Sequence, residues 1–388
     1  MELTGEQRDL RDAVRGLLTR QHGAAPEPGD PGPGYDQALW QRLCGEIGVA
    51  GLAIPARYGG AGAGPAETHV VMEELGRSLT PSPMLGSAVL AAQALLASGD
   101  AAACQRLLPA IADGTTIAAL AWTDESGHWD PREVAFGTTS DHVLTGEAHY
   151  VLDGDVAGVL LAAARTPNGV ALFEVDPRHP GMTRRAVTTM DTTLRLAAVR
   201  LDGVPGLLLG DRAGPTGSLA LARARDLACV ALTAEQVGAA RRALDLTVAY
   251  TKVRVQFGRP IGSFQVLQHR MADLYVLVES ARSLSYAAAS AAAEDAPDLG
   301  LRAAAAKAYC SEALARVAGQ MIQLHGAIGI TWEHDAHRYF KRAHGSGQLF
   351  GRPAEQVARV AASVIGLPGR APGTRRTRAA TPTWIWRR

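Results

Sequence analysis

The connection between two long alanine-rich helical patterns carries residue types that suit a dinucleotide. Arg254 precedes a Phe-Gly pair by three residues, and Gln265 follows Phe257 by eight residues. An arginine offers forked N–H donors to phosphate oxygens. This spacing places a charge, a ring and an amide on one exposed connection, which favours binding of a dinucleotide pyrophosphate.

The elements that position these residues follow an α–β–α order along the chain. Helical periodicity predicts helices over 3–20, 36–47, 66–79, 85–98 and 101–111. After Gly114 the period changes from helical to alternating, and short strands are predicted over 117–122, 134–136, 142–144, 159–164, 170–175 and 196–201. Helices return over 218–252, 264–294, 298–324, 333–343 and 353–365. The strands favour an antiparallel barrel or sandwich, and the alanine-rich helices favour a bundle.

Composition indicates a soluble multidomain protein without a nucleic-acid partner. The 388 residues exceed one ordinary core, 47% of them are hydrophobic, and the formal net charge is only +1. No apolar run approaches the ~20 residues that span a bilayer, and the acidic segment 1–7 is not a signal peptide. Four dispersed cysteines without a CxxC pair indicate a reduced chain, so we expect a cytoplasmic protein.

A second segment, Gln323-Leu324-His325-Gly326-Ala327, strengthens the dinucleotide interpretation. Together with the motif that begins at Arg254, it resembles the flavin-binding signatures of the acyl-CoA dehydrogenase family. The resemblance covers about residues 1–367 and implies an α+β multidomain fold.

The domains that this resemblance implies follow the predicted elements. They are an N-terminal α-helical domain (1–115), a middle antiparallel β-barrel or sandwich domain (116–214) and a C-terminal four-helix bundle (215–367). Residues 368–388 are basic and biased in composition, which predicts a disordered tail.

The resemblance also implies FAD as the cofactor. Arg254, Phe257 and Gln265 match positions that hold the adenosine-diphosphate half of FAD. Gln323 and Gly326 match a Gln-x-x-Gly-Gly segment that reaches the cofactor of a neighbouring subunit. Ala327 stands in place of the second glycine of that segment.

Two further positions are implied to line the flavin ring. Thr123 matches a loop that contacts the isoalloxazine, and Tyr150 stands where an aromatic residue flanks the flavin. Leu152 replaces a threonine whose hydroxyl would hydrogen-bond flavin N5, and a leucine cannot supply that bond. Each residue taken singly is equally consistent with an ordinary strand or turn of a β-domain.

Dehydrogenation of an acyl thioester requires a carboxylate that removes the α-proton while the β-hydride passes to the flavin. The family places this glutamate at one of two positions, which in this chain are Phe350 and Ala228. Neither side chain can accept a proton. Asp226 is a weak candidate, because two helical residues span about 200° and point it away from the face of Ala228. We interpret it first as a substrate contact, and the catalytic residue stays unknown.

Three functional hypotheses follow. The first is a subunit of an FAD-dependent acyl-CoA dehydrogenase that needs a base-bearing partner chain for 2,3-desaturation of an acyl-CoA or carrier-protein thioester. Its electrons would pass to an electron-accepting flavoprotein, and the assembly would be a homo- or hetero-oligomer. The second is a self-sufficient dehydrogenase with a non-standard base such as Asp226. The third is a non-catalytic structural subunit.

A metal site is not predicted. His334 and His337 would share one face of the predicted helix 333–343, but no third ligand has convincing spacing. The run 331–335 resembles members of the family from bacterial sterol- and acyl-degrading pathways, which often act as hetero-oligomers. The vacant glutamate positions agree with that arrangement.

Overall fold

The computed structural model describes residues 3–20, 34–210 and 215–365. The helix–sheet–helix order that the sequence predicts is confirmed, with a helical layer, a β-domain and a helical bundle. The predicted tail 368–388 lies outside the described residues.

Five α-helices form the N-terminal layer. They are α1 (Gly5–Arg20), α2 (Gln37–Arg42), α3 (Pro65–Ser78), α4 (Ala92–Ala97) and α5 (Ala101–Ala112). A π-helical segment, Met84–Ala91, leads directly into α4 and is buried along its whole length. Asp36 and Asp100 cap α2 and α5, because their carboxylates accept hydrogen bonds from backbone N–H groups in the first turns.

The β-domain contains seven strands among the described residues. They are β1 (Ala118–Ala121), β2 (Phe136–Thr138), β3 (Val143–Leu152), β4 (Val159–Thr166), β5 (Gly169–Val175), β6 (Met182–Val187) and β7 (Leu196–Leu209). The strand order is β1-β4-β2-β3-β7-β5, and β5 also pairs with β4, so the hydrogen-bonded ring closes as a barrel. The pairings are antiparallel except that β1 and β2 run parallel to successive halves of β4.

Five helices and a short hairpin form the C-terminal bundle. The helices are α6 (Pro215–Val253), α7 (Gln265–Ala293), α8 (Leu299–His325), α9 (Ala336–Gln348) and α10 (Pro353–Ile365), and the hairpin strands are β8 (Val255–Gln256) and β9 (Arg259–Pro260). Helix α9 begins at Ala336, so His334 precedes the helix and does not share its face with His337. The imidazole Nδ1 of His334 instead accepts a hydrogen bond from the Ala336 N–H.

Glycines let the N-terminal layer contact the bundle backbone to backbone. A Cβ atom on Gly76 of α3 would overlap the carbonyl of Glu235, and one on Gly238 of α6 would overlap the carbonyl of Glu73. No side chain fits between the two helices at this crossing. The same core cluster continues from the N-terminal helices through Trp122 of the β-domain, so the layers share one apolar interior.

Candidate active site

The hairpin that follows α6 presents its turn to solvent. Phe257 and Gly258 are the two central residues, with φ angles of 52° and 76°. Two consecutive positive φ values are typical of a two-residue type I′ hairpin, which matches the twist of the flanking strands. The Phe257 side chain is 93% exposed.

Two predicted cofactor residues flank this turn with free side chains. Arg254 and Gln265 are exposed, and within the described residues neither side chain forms a hydrogen bond or an ion pair. A helix-capping role for the Arg254 side chain therefore finds no support. Its guanidinium keeps all five N–H donors for a ligand.

The segment at Gln323 lies beside the hairpin. Tyr250, one turn before Arg254 on α6, stacks on His325 with ring centroids 4.3 Å apart. The Tyr250 hydroxyl donates to the His325 carbonyl at 3.4 Å. Gln323 and Gly326 are exposed. The three residues assigned to the adenosine-diphosphate half of the cofactor and the two assigned to a neighbouring subunit's cofactor therefore occupy one end of the bundle.

A separate cavity of about 250 Å³ lies between the β-domain and the end of α9. The β-domain contributes Ser126, Gly127 and Tyr150 to its lining, and the α9 end contributes Gln348 and Leu349. Cavities that bury a whole drug-sized ligand measure about 300–1,000 Å³. This cavity is the candidate flavin-facing region.

Thr123 and Tyr150 lie at adjacent points of the β-domain. The Thr123 side chain is 1% exposed, and its hydroxyl has no hydrogen-bond partner among the described residues. A buried unpaired hydroxyl is unusual and indicates a missing partner. Tyr150 donates from its hydroxyl to the Glu125 carbonyl at 3.1 Å, which fixes its ring at the cavity. Leu152 is buried in the core.

The usual position of the catalytic glutamate is filled by an aromatic stack. Phe350 is 1% exposed, and its ring meets Trp129 edge to face at 5.1 Å. Trp129 in turn meets Trp122 at 5.0 Å. We call these three residues the aromatic stack. Ala228, at the alternative position, is completely buried.

Asp226 is held by two arginines. Arg225 donates from Nε and Nη2 to its carboxylate at 3.1 Å, and Arg359 donates from Nη2 at 2.7 Å. Arg225 also donates to the Trp129 carbonyl at 3.3 Å, so the pair borders the aromatic stack. Asp226 does not line the 250 Å³ cavity. The carboxylate of Asp226 is therefore engaged by two guanidinium groups, and its role as a substrate contact stays a prediction.

Sequence reasoning missed a buried ionic cluster behind the cavity. Arg342 of α9 donates to Asp191 at 3.0 Å and to the Thr193 hydroxyl at 2.9 Å, and it also pairs with Glu235 of α6. Asp191 lines the cavity, yet Thr193 occupies its second oxygen through a backbone N–H at 3.0 Å. The only sequence signal for this cluster was an aspartate, Asp191, two residues before a threonine, Thr193, in a segment where no helix or strand is predicted.

A second buried acid, Asp153, ends the strand that carries Tyr150. Burial raises the pKa of Asp153 to about 7, and the nearby Asp155 adds to that rise. Its carboxylate faces Gly86 and a narrow cleft near Tyr35, and it does not line the 250 Å³ cavity. The pKa of Asp153 would therefore suit a general base, but its carboxylate lies outside the 250 Å³ cavity.

A larger polar cleft of about 370 Å³ lies between α1, α3, α6 and α7. Its arginines are already paired, for example Arg15 with Glu74 at 2.6 Å and Arg77 with Asp245 at 3.2 Å. The first pair joins α1 to α3 within the N-terminal layer, and the second fastens that layer to α6 of the bundle. The cleft contains none of the predicted site residues.

The described residues contain no helix with the length and apolar character needed to cross a bilayer. Within the same ranges, no group of three metal-ligating side chains comes together.

Comparisons with known proteins give a consistent family. Two family models match: acyl-CoA dehydrogenase, N-terminal domain, over residues 4–115, and acyl-CoA dehydrogenase, C-terminal domain, over residues 221–365. Acyl-CoA dehydrogenase IpdE2 of Mycolicibacterium smegmatis is 40% identical over 366 residues, which cover 93% of this chain and 99% of that protein.

Solved structures agree with these matches. The Tcur3481-Tcur3483 steroid ACAD has a TM-score of 0.84 and 31% identity, over 93% of this chain and 98% of that chain. The ChsE4-ChsE5 complex from Mycobacterium tuberculosis has a TM-score of 0.83 and 29% identity, over 95% of this chain and 99% of that chain.

Proposed function

Because the chain belongs to the acyl-CoA dehydrogenase family, we propose that it is the FAD-holding subunit of a complex whose partner chain supplies the catalytic base. Membership makes the chain an oxidoreductase that acts on CH–CH groups. The proposed reaction is the 2,3-desaturation of an acyl thioester.

One observation carries this proposal: the base position is occupied by packed apolar atoms, whereas the cofactor residues are exposed and free. Phe350 is sealed into the aromatic stack and Ala228 into the core. A proton acceptor must come within about 3 Å of the α-carbon proton that it removes. Neither position offers an atom that can do so.

The residues present fit FAD. The free donors of Arg254 suit the pyrophosphate, and Gln265 adds an amide on the same connection. The ring of Tyr150 lines the 250 Å³ cavity and suits a flat heterocycle there. The hydroxyl of Thr123, whose carbonyl accepts from the N–H of His149 next to Tyr150, is buried and has no partner among the described residues. When bound, FAD supplies the hydride acceptor for the reaction.

Within this scheme the chain's own residues bind and orient. Arg254 neutralises phosphate charge, and Phe257 covers the nucleotide from the solvent side. Gln323 and Gly326 reach a neighbouring subunit's cofactor. The aromatic stack makes one side of the cavity apolar, because Trp129 lines the cavity and the rings of Trp122 and Phe350 pack against Trp129.

A partner chain is supported by exposed apolar side chains around the cofactor end of the bundle. Their members are Val253, Phe257, Val266, Ile330 and Trp332, each more than half exposed. Clusters of this kind mark protein–protein contacts. The ChsE4-ChsE5 relative is itself a complex of two chains, and we propose the same kind of assembly here.

The test compares the chain alone with the chain co-purified with a related protein that has a glutamate at either vacant position. The substrate panel includes straight-chain, branched and steroid-linked acyl-CoAs, the last because one relative is a steroid ACAD. We expect turnover of an artificial electron acceptor only in the complex. Robust turnover by the isolated chain would contradict the partner requirement.

The same preparations separate the two remaining hypotheses. A self-sufficient enzyme with Asp226 as base would turn over alone and lose that activity in Asp226→Asn while keeping bound flavin. If this chain were only a structural subunit, it would be colourless, and all flavin absorbance of the complex would come from the other chain. A chain that binds FAD but does not turn over alone supports our proposal.

A further inference from the structure

The buried lysine of α8 is an unusual group. Lys307 is completely buried, and it forms no ion pair with any carboxylate among the described residues. An unpaired charge in a protein interior is costly unless other interactions compensate it. Two features of Lys307 bear on this cost: the hydrogen bonds of its ammonium group and its position beside the 250 Å³ cavity.

The Lys307 ammonium is held by neutral oxygens. It donates to the Ser311 hydroxyl at 2.9 Å and to the Gly347 carbonyl at 3.3 Å. The Gln236 amide donates to the same Ser311 at 3.0 Å and to Ser346 at 3.2 Å. The lysine is thereby fixed against the last turn of α9.

That last turn is also the wall of the 250 Å³ cavity. Gly345, Gln348 and Leu349 line the cavity, while the intervening Gly347 accepts the hydrogen bond from Lys307. Residues 345–347 are Gly, Ser and Gly, so the turn that accepts from the ammonium carries no large side chain and is the same turn that borders the cavity. A charge acts strongly across such a short, water-poor path.

The other titratable groups that face Lys307 do not cancel its charge. They are Cys229 on α6, Cys310 on α8 and Glu355 on α10. Burial raises the pKa of Cys229, and it raises the pKa of Cys310 to about 12, so both thiols are neutral. Glu355 is engaged by Arg352 at 2.8 Å.

We propose that Lys307 makes a flavin bound in this cavity easier to reduce, by placing a fixed positive charge one backbone layer behind the cavity wall. The inference rests on the proposed function, because it requires flavin in this chain. Reduction adds two electrons to the flavin, and a nearby cation stabilises the resulting negative charge. Lys307 is thus a positioning and electrostatic residue that does not touch the substrate.

The test measures the reduction potential of the bound flavin in three proteins at pH 7. Lys307→Gln removes the charge but keeps an N–H donor for Ser311 and Gly347, whereas Lys307→Met removes both. We expect both variants to favour oxidised over reduced flavin by about tenfold more than the wild type does. For a two-electron couple, tenfold corresponds to about 30 mV.

A pH series and a second lysine provide controls. Burial lowers the pKa of Lys307 to about 8, so the wild-type potential should approach that of Lys307→Gln at pH 9.5. Lys341 lies over the Trp332 ring at 4.5 Å, away from the cavity lining. Lys341→Gln should leave the potential unchanged.

The outcomes separate charge from packing. If Lys307→Gln matches the wild type while Lys307→Met differs, hydrogen bonding explains the effect and the inference is overturned. Equal potentials in all proteins overturn it as well. If Lys307→Met does not fold, the Lys307→Gln result decides alone. A wild-type chain without flavin overturns the proposed function, and this inference with it.

Discussion

Two of the Phe-Gly pairs in this molecule have positive φ angles at both residues, but they differ in the exposure of the phenyl ring. Phe257 and Phe350 have φ angles of 52° and 58°, and each precedes a glycine with positive φ. The first phenyl ring is 93% exposed at the tip of the hairpin, whereas the second is 1% exposed within the aromatic stack. Left-handed non-glycine residues are uncommon and often mark functional positions.

The difference shows how one local motif serves opposite purposes. At the hairpin the turn holds a ring and an arginine outward, where they can meet a nucleotide or a neighbouring subunit. At the end of α9 the second Phe-Gly pair directs a ring inward, at one of the two positions where the resemblance implies a glutamate. Tertiary surroundings, and not the dipeptide, determine the chemistry of each position.

Truncating both phenylalanines is the largest test of this contrast. Phe350→Ala should lower the free energy of unfolding by about 3–5 kcal/mol, because it leaves a cavity beside Trp129. Phe257→Ala should change it by less than about 0.5 kcal/mol, since its ring contacts little protein. Urea denaturation of both variants provides the comparison. Similar losses in both would show that the hairpin ring is packed in solution.

The pH dependence of stability should reveal the titration of a second buried side chain, Lys307. The pKa of Lys307 is about 8 in the folded chain and about 10.5 when it is unfolded. Below pH 8 both states hold the proton. Between pH 8 and 10.5 only the unfolded state does, so stability rises with pH across that window.

Lys307→Met lacks this gain. The free energy of unfolding of Lys307→Met minus that of the wild type should therefore fall between pH 8 and 10.5, by on the order of 3 kcal/mol at most. Parallel urea titrations at several pH values measure this difference. A constant offset between the two proteins would mean that Lys307 stays protonated throughout the range.

At the exposed hairpin, the expected loss on mutation is a loss of affinity for FAD. Arg254→Ala should weaken FAD binding by about 10- to 100-fold, because a charge-assisted hydrogen bond contributes about 1.5–3 kcal/mol. Arg185→Ala is the matched control, since Arg185 is an exposed arginine on β6 of the middle domain. Flavin fluorescence titration of the apo complex gives both affinities. Equal affinity in the two variants would remove Arg254 from the cofactor site.

The smallest expected effect concerns the acid nearest the vacant seats. Asp226→Asn should keep kcat of the complex within about threefold, less than ~1 kcal/mol of barrier, while KM increases if the side chain contacts substrate. Steady-state kinetics resolve the two parameters. Loss of kcat with flavin retained would instead identify Asp226 as the base.

Local patterns predicted most elements of the fold. Helix α6 was expected over 218–252 and spans Pro215–Val253, because alanine-rich periodicity without an internal proline is a strong signal. Strand β6 was not predicted. Its residues, Met182–Val187, contain two arginines and no buried side chain, so the sequence carries no apolar alternation there.

Long-range order explains the remaining differences. The parallel pairing of β1 and β2 with β4 depends on chain topology, which periodicity does not encode. Helix α9 was expected over 333–343 but continues to Gln348 through Gly345 and Gly347. Glycines disfavour helix, yet a Cβ atom at Gly345 would come within 3.2 Å of the Asp191 side chain, which is tighter than an ordinary contact.

The sequence gives predictions for site residues only where those residues lie in short motifs. The roles assigned to Arg254, Phe257, Gln265, Gln323, Gly326, Thr123 and Tyr150 stay predictions. The residues that sequence reasoning missed, Lys307, Arg342 and Asp191, come from three separate regions of the chain. Their meaning arises from tertiary contacts that bring buried charges to one cavity.

The glycine crossing of α3 and α6 fixes the spacing of the two helices. Their backbones already touch at Gly76 and Gly238, so any larger residue at either position would have to push the helices apart. The close packing of the N-terminal layer on the bundle therefore depends on two residues that lack a side chain.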